Sequence, residues 1–147
     1  MTTRLSKFEL KHKRISAAIS VFFAVRRNDS PSIMALIRQN LPGLRDAVSN
    51  NQSMHGGYIL SPGEGSNDIV LMATCSEVHL AVQSQKELLS DGISARTVSS
   101  PCMEIFLEQG EIYVRSVLCE DLPKVVVEAG VYQRWSDVIG NEDGLLV

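Results

Sequence analysis

The sequence predicts an α/β domain built on a parallel sheet, and three adjoining stretches carry that prediction. Ile69 to Thr74 is an unbroken run of apolar or small residues, the pattern of a strand buried on both faces. A segment of helical period follows at once. Val78, Ala81, Val82, Leu88 and Leu89 fall on one side, with Glu77, Gln83, Lys86 and Glu87 on the other. Ser94 to Ser99 then reads as a second strand, so the order strand, helix, strand calls for a right-handed crossover and parallel pairing.

At 147 residues the chain has room for one core but not for two well-formed ones. Its net charge of −3 is small and points to neither nucleic acid nor a strongly charged partner surface. The cysteines, Cys75, Cys102 and Cys119, are odd in number and form no C-x-x-C pair. That usage favours a reduced, cytoplasmic chain and argues against a zinc site.

Residues 1–14 are basic and without period, an irregular N-terminus. Ile15 to Val25 is apolar and preceded by Arg4, Lys7, Lys11, Lys13 and Arg14, which superficially resembles a secretory leader. The run falls short of the ~20 residues a bilayer span needs. No small-residue cleavage site follows it, since Arg26-Arg27 comes next. A helix packed on another element is the better reading, and no membrane is expected.

Ser32 to Ile37 reads as a short buried strand that delivers Arg38-Gln39-Asn40 to its carboxyl end, the edge where α/β folds hold ligands. Residues 43–55 are rich in Asn, Ser, Gly and Asp and read as a linker. Gly56 to Leu60 is a short strand and Ser61 to Asn67 a turn-rich loop. Thr74 and Glu77 have the T-x-x-E spacing of a capping box at the start of the first crossover helix. Asp91-Gly92 ends that helix. Met103, Phe106 and Leu107 suit one helical turn, and Glu111 to Leu118 a further helix. Lys124 to Gly130 is a third buried strand, and Val131 to Val147 carries the only tryptophan, Trp135.

Few residues have the pattern of a reactive site. Cys75 at a helix start has a position where the dipole can acidify a thiol, but no basic partner adjoins it. A small buried residue in a tight turn is the better reading. Ser76, Glu77 and His79 lie too close along one helix to converge as a triad. His12 and His55 stand without ligand spacing. Gly63-Glu64-Gly65 precedes its strand, whereas a dinucleotide fingerprint follows one, so nucleotide binding is disfavoured. Glu128 ends a strand of valines and needs a partner there. Arg38 is the best-placed functional residue, a guanidinium suited to a phosphate or carboxylate, with a structural salt bridge as the competing role.

Several strings then agree together. SPSIMALIRQNLPGL, GGYIL, DIVLMATCSEVHLAVQSQKELLSDGISARTVSSP, the FLEQ…IYVRSVL run and KVVVEAG occur in this order. Over about Ile15 to Gly140 the chain resembles the C-terminal portion of transketolases. The resemblance implies a three-layer α/β/α fold with a mixed, mostly parallel sheet, its first strand antiparallel and its final strand and helix missing. It implies a family of enzymes that use thiamine diphosphate and a divalent metal such as Mg2+ to move a two-carbon ketol unit between sugar phosphates. In that family the arginine of the R-Q-N motif contacts the sugar phosphate, a role that falls here on Arg38.

The departures matter as much. No G-D-G motif for metal and diphosphate is present, and the activating glutamate, ring-covering aromatics and substrate histidines belong to segments outside this sequence. Cys75 stands where the family has a turn glycine, Ile37 where it often has serine, and Gly110 where it has a better helix cap. If the Cys75 turn needs a positive φ, a non-glycine residue there is strained. The expected organisation is an irregular stretch (1–14), a helix-strand stub from the end of a pyrimidine-binding domain (15–42), a linker (43–55) and an incomplete C-terminal domain (56–147). The expected function is the C-terminal portion of a transketolase, inactive alone because the cofactor carries the chemistry and its binding segments are absent. Its partners would be the missing N-terminal segments or a full-length subunit, with sugar phosphates as substrates. The alternative is a non-catalytic interaction or regulatory module.

Overall fold

A computed structural model describes residues 21–22, 24–28, 31–33, 41–44, 52–130, 135–139 and 145–146. The chain divides into two compact units, Met1–Asn51 and Gln52–Val147. In the first, residues 21–22 and 24–26 are helical, within the helix expected over Ile15 to Val25 but extending one residue past it. The Arg26 guanidinium lies 4.8 Å from the Phe22 ring centroid, the i, i+4 spacing that lets a cation cover an aromatic face. Ser32 and Ile33 carry no strand assignment, and Ile33 is 98 % exposed. The remainder of that expected strand, with Arg38, lies outside the described residues.

The second unit opens with a short 3-10 turn, Gln52–His55, followed by β1 (Tyr58–Ser61) and β2 (Ile69–Ala73). Helix α1 (Val78–Ser90) leads to β3 (Ala95–Ser99), and helices α2 (Met103–Leu107) and α3 (Glu111–Leu118) lead to β4 (Lys124–Val127). A single turn, α4 (Ser136–Ile139), precedes β5 (Leu145–Leu146). The sheet order is β1-β3-β2-β4-β5. β1 runs antiparallel to β3, while the other neighbours pair in parallel. The mixed sheet is therefore as expected, with one correction. A final strand is present, as the two residues of β5, which pair with Val126 and Val127 of β4.

β2 sits between two parallel neighbours and alternates its side chains between two cores. Val70 and Met72 join Val98, Phe106, Val117, Leu118, Val126, Trp135 and Ile139 under α2, α3 and α4. Leu71 and Ala73 join Val78, Ala81 and Ala95 under α1. These four β2 residues are buried, which is why the segment is uniformly apolar with no alternation. Full burial of Val70, Leu71 and Met72 contributes roughly 1.5–3 kcal/mol each.

The ends of α1 differ in how they meet expectation. At its C-terminus Gly92, at φ +82°, donates to Leu89 O, and Ile93 N–H donates to Leu88 O. This is a Schellman ending, as Asp91-Gly92 predicts. At its N-terminus the capping box does not form. Glu77 occupies the cap position with no side-chain cap bond, and its carboxylate accepts from Ser76 Oγ at 2.7 Å. Thr74 Oγ1 donates to Glu128 Oε2 at 2.5 Å instead. Donation to the carboxylate on the neighbouring strand end is a charge-assisted bond, and it sets the hydroxyl's position in place of acceptance from a helix amide.

On the opposite face, Arg96 of β3 reaches the last turn of α3, its Nη1 donating to Ser116 O at 2.9 Å and Val117 O at 3.3 Å. Those carbonyls have no intrahelical donor, and a cation suits the negative end of the helix. Thr97, in the middle of the same strand, is fully buried, and its hydroxyl has no hydrogen-bond partner. Replacing it by an isosteric apolar residue removes a desolvated, unmatched group. Thr97→Val is expected to raise stability by about 1 kcal/mol, read as a higher urea midpoint at unchanged slope. A lower midpoint would mean that the hydroxyl is satisfied in solution.

Candidate functional site

The parallel strands β2, β3 and β4 end together, and their carboxyl ends are where an α/β sheet places functional groups. Register decides which side chains meet there. Ala73 pairs with Val127 across β2 and β4 and with Ser99 across β2 and β3. The next residues on the three strands are therefore Thr74, Glu128 and Ser100. Ser100 N–H donates to Ala73 O at 3.0 Å, which holds the β3 exit against β2. Glu128, half-buried just past β4, divides its two oxygens. Oε2 accepts from the Thr74 hydroxyl and Oε1 from Gly130 N–H at 2.9 Å. The sequence marked Glu128 as needing a partner. Which partner it takes depends on a strand pairing between residues 54 positions apart.

Cys75 follows immediately, in the turn between β2 and α1, at φ +42°. The conditional expectation for this position therefore holds: the turn requires a left-handed residue. The expectation of a buried side chain does not, because Cys75 is exposed. Although the residue as a whole reaches water, desolvation of its thiol is the largest influence, with Glu128 and then Glu77 adding negative charge. Together they raise its pKa above the ordinary thiol value. The helix dipole does not prevail, and nothing here acidifies the thiol as a catalytic cysteine requires. Cys102, past the end of β3, is likewise pushed up, chiefly by burial, and its Sγ donates to Glu104 Oε2 at 3.4 Å.

The neighbouring polar residues form no catalytic chain. Ser76 Oγ is committed to Glu77, and His79 Nδ1 meets the Ser76 carbonyl and not its hydroxyl. The histidine is thus not placed to activate the serine. Gly63 and Gly65 lie in a loop tied by Ser94, whose hydroxyl donates to Glu64 O at 2.6 Å and accepts from Glu64 N–H at 3.2 Å. A Cβ on Gly63 would sit 2.5 Å from Ala95 O, so that glycine serves close packing. His55 bonds Gln109 within the domain. Arg38 and His12 lie outside the described residues.

The geometry is that of a structural strand-end junction in a mixed sheet of order β1-β3-β2-β4-β5. The profile of the transketolase-like TK C-terminal domain family matches residues 56–147. The chain belongs to the transketolase family. Transketolase of Rhodobacter capsulatus is 38% identical over 83% of this chain, and the plasmid transketolase of Cupriavidus necator is 42% identical over the same share. Among solved structures, a Pichia stipitis transketolase variant in complex with fructose 6-phosphate superposes over 82% of this chain with a TM-score of 0.75 and 38% identity. Transketolase from Campylobacter jejuni superposes over 84% of it at 0.73 and 27%. The chain spans about 18% of the length of the Rhodobacter and Cupriavidus relatives and of the Pichia enzyme.

Membership brings thiamine diphosphate and a metal ion into the family picture, and the described residues do not fit that pair. Among them no three His, Cys, Asp or Glu side chains stand together to hold a metal. The carboxylate at the strand ends, Glu128, already uses both oxygens within the fold.

The strain at Cys75 has a measurable consequence. A left-handed non-glycine residue costs roughly 1–2 kcal/mol, and glycine gives back part of that gain as unfolded-state entropy. Cys75→Gly is expected to stabilise the chain by about 0.5–1 kcal/mol in urea unfolding. A loss of stability would show that the thiol makes a contact worth more than the strain.

Proposed function

We propose that this chain is the C-terminal portion of a thiamine-diphosphate-dependent transketolase, which transfers a two-carbon ketol unit between ketose and aldose phosphates in the pentose phosphate pathway. The observation that carries the reading is the mixed sheet with its antiparallel first strand, matched as the C-terminal domain over residues 56–147. Support for the substrate class comes from relatives solved as complexes with fructose 6-phosphate, xylulose 5-phosphate and sedoheptulose 7-phosphate. In this reading the domain supports a dimeric, cytoplasmic enzyme, and residues 15–42 are the end of a pyrimidine-binding domain joined through 43–55. The diphosphate and pyrimidine sites in this reading come from segments outside this sequence.

Arg38 is the substrate contact that the family resemblance carries over to this chain. Its planar fork matches a sugar phosphate by paired, charge-assisted hydrogen bonds.

Alone, with thiamine diphosphate, Mg2+ and sugar phosphates, the purified chain is expected to give no ketol transfer, and measurable turnover would overturn its expected inactivity in isolation. Supplied with the N-terminal segments of a relative, it should gain activity. Failure to do so would favour a non-catalytic interaction module. In that reconstituted enzyme, Arg38→Ala is expected to weaken phosphorylated substrates by about 10- to 100-fold, the loss of a hydrogen-bonded charge pair, with little effect on unphosphorylated ones. Equal losses for both would remove the phosphate role, and the KM values for the two substrate types provide the measurement.

A further inference from the structure

The segment that opens the second unit is tied at several points to one pair of helices and their connection. Gly56 O accepts from Cys102 N–H at 2.9 Å, and Gly56 N–H donates back to Ser53 O at 3.2 Å. At φ +73°, Gly56 lies so close that a Cβ would stand 2.4 Å from Cys102 O and from Phe106 N. Gly57 is pressed on the Phe106 ring, where a Cβ would stand at 2.6 Å. Its carbonyl accepts from Tyr113 Oη at 2.9 Å. Burial pushes the Tyr113 pKa up, which keeps the hydroxyl a donor. The His55 ring lies over Tyr113 with centroids 5.0 Å apart, and Tyr113 meets Phe106 edge-on at 6.1 Å.

The proton on His55 follows from its neighbour. Gln109 Nε2 donates to Ile105 O at 3.0 Å, and a carbonyl only accepts, so the amide nitrogen must face Ile105. Gln109 Oε1 therefore faces His55 Nδ1, at 2.8 Å. An amide oxygen only accepts as well, so Nδ1 must carry the hydrogen, and in the neutral ring Nε2 keeps the lone pair.

We propose that His55, Gln109 and Tyr113 form a clasp that closes the strap Gln52–Gly57 onto α2 and α3, and that the strap opens as a local unit while the sheet stays intact. The clasp fixes where the chain enters the domain, and its release frees that lead-in without breaking any β2 pairing. Local openings of this kind follow the ties that hold a segment and need not involve global unfolding. The proposal is independent of any catalytic reading.

The test uses the full chain and two substitutions that leave the apolar packing in place, Tyr113→Phe and Gln109→Leu. Two-bond 1H–15N correlation spectra of the wild type should show neutral His55 protonated at Nδ1. Each substitution should speed hydrogen exchange of the Gly56 and Cys102 amides about 3- to 10-fold, the net worth of one hydrogen bond, with Val70 to Ala73 amides unchanged. An Nε2–H tautomer in the wild type would overturn the clasp. So would unchanged strap amides in both variants, or equal acceleration in β2, which would mark global destabilisation.

Discussion

Two-sided burial of β2 is the constraint on which the domain depends. A strand with parallel neighbours on each side and helices above and below cannot expose any side chain, so Val70 to Ala73 must be apolar or small throughout. The same burial obliges its backbone groups to pair, and β3 and β4 are the strands that supply the partners. From this follow the two cores, one under α1 and one under α2 to α4, which share no layer except the sheet itself. The antiparallel β1 and the two-residue β5 close the edges, and the register irregularity between Ile59 and Ser61 breaks the regularity of the β1 edge.

Where the parallel strands end, the fold resolves competing demands by charge and register. The Thr74 hydroxyl has a local use, capping α1, and a distant one, the Glu128 carboxylate. It takes the charged partner, which leaves the helix without a side-chain cap. The carboxylate is thereby matched on both oxygens, as a half-buried charge must be. Cys75 in the adjoining turn adopts a backbone conformation that favours glycine, and desolvation, with two carboxylates beside it, raises its thiol pKa. Strain without a reactive group marks a turn whose geometry is imposed by the sheet and helix it joins.

The strand-end junction is structural in what its described side chains do. Glu128 and Thr74 at its strand ends are satisfied internally, Ser76 is committed to Glu77, and among the described residues no metal-binding group forms. Such a part is suited to holding other segments in place. The tight packing of Gly56 and Gly57 against α2 fits that role, because it fixes the point where the chain enters the domain.

Much of this was legible in the sequence, and the boundary has a physical basis. Periodicity marked β2, α1 and β3, since burial on one or two faces writes itself directly into residue pattern. Asp91-Gly92 predicted the end of α1 because a Schellman ending is a local matter of one left-handed residue. The motif resemblance correctly indicated the mixed sheet and singled out Cys75 as strained if its turn is left-handed, which it is, though it omitted β5, whose pairing is only two residues long. Thr74 was read as a cap, Glu128 as needing a partner that went unnamed and His55 as a loop residue because each takes its partner across 54 positions of sequence. Local propensity sees a few residues to either side. Only the parallel register of β2 with β4, and the folding of α2 and α3 back over the lead-in, bring those side chains within bonding distance.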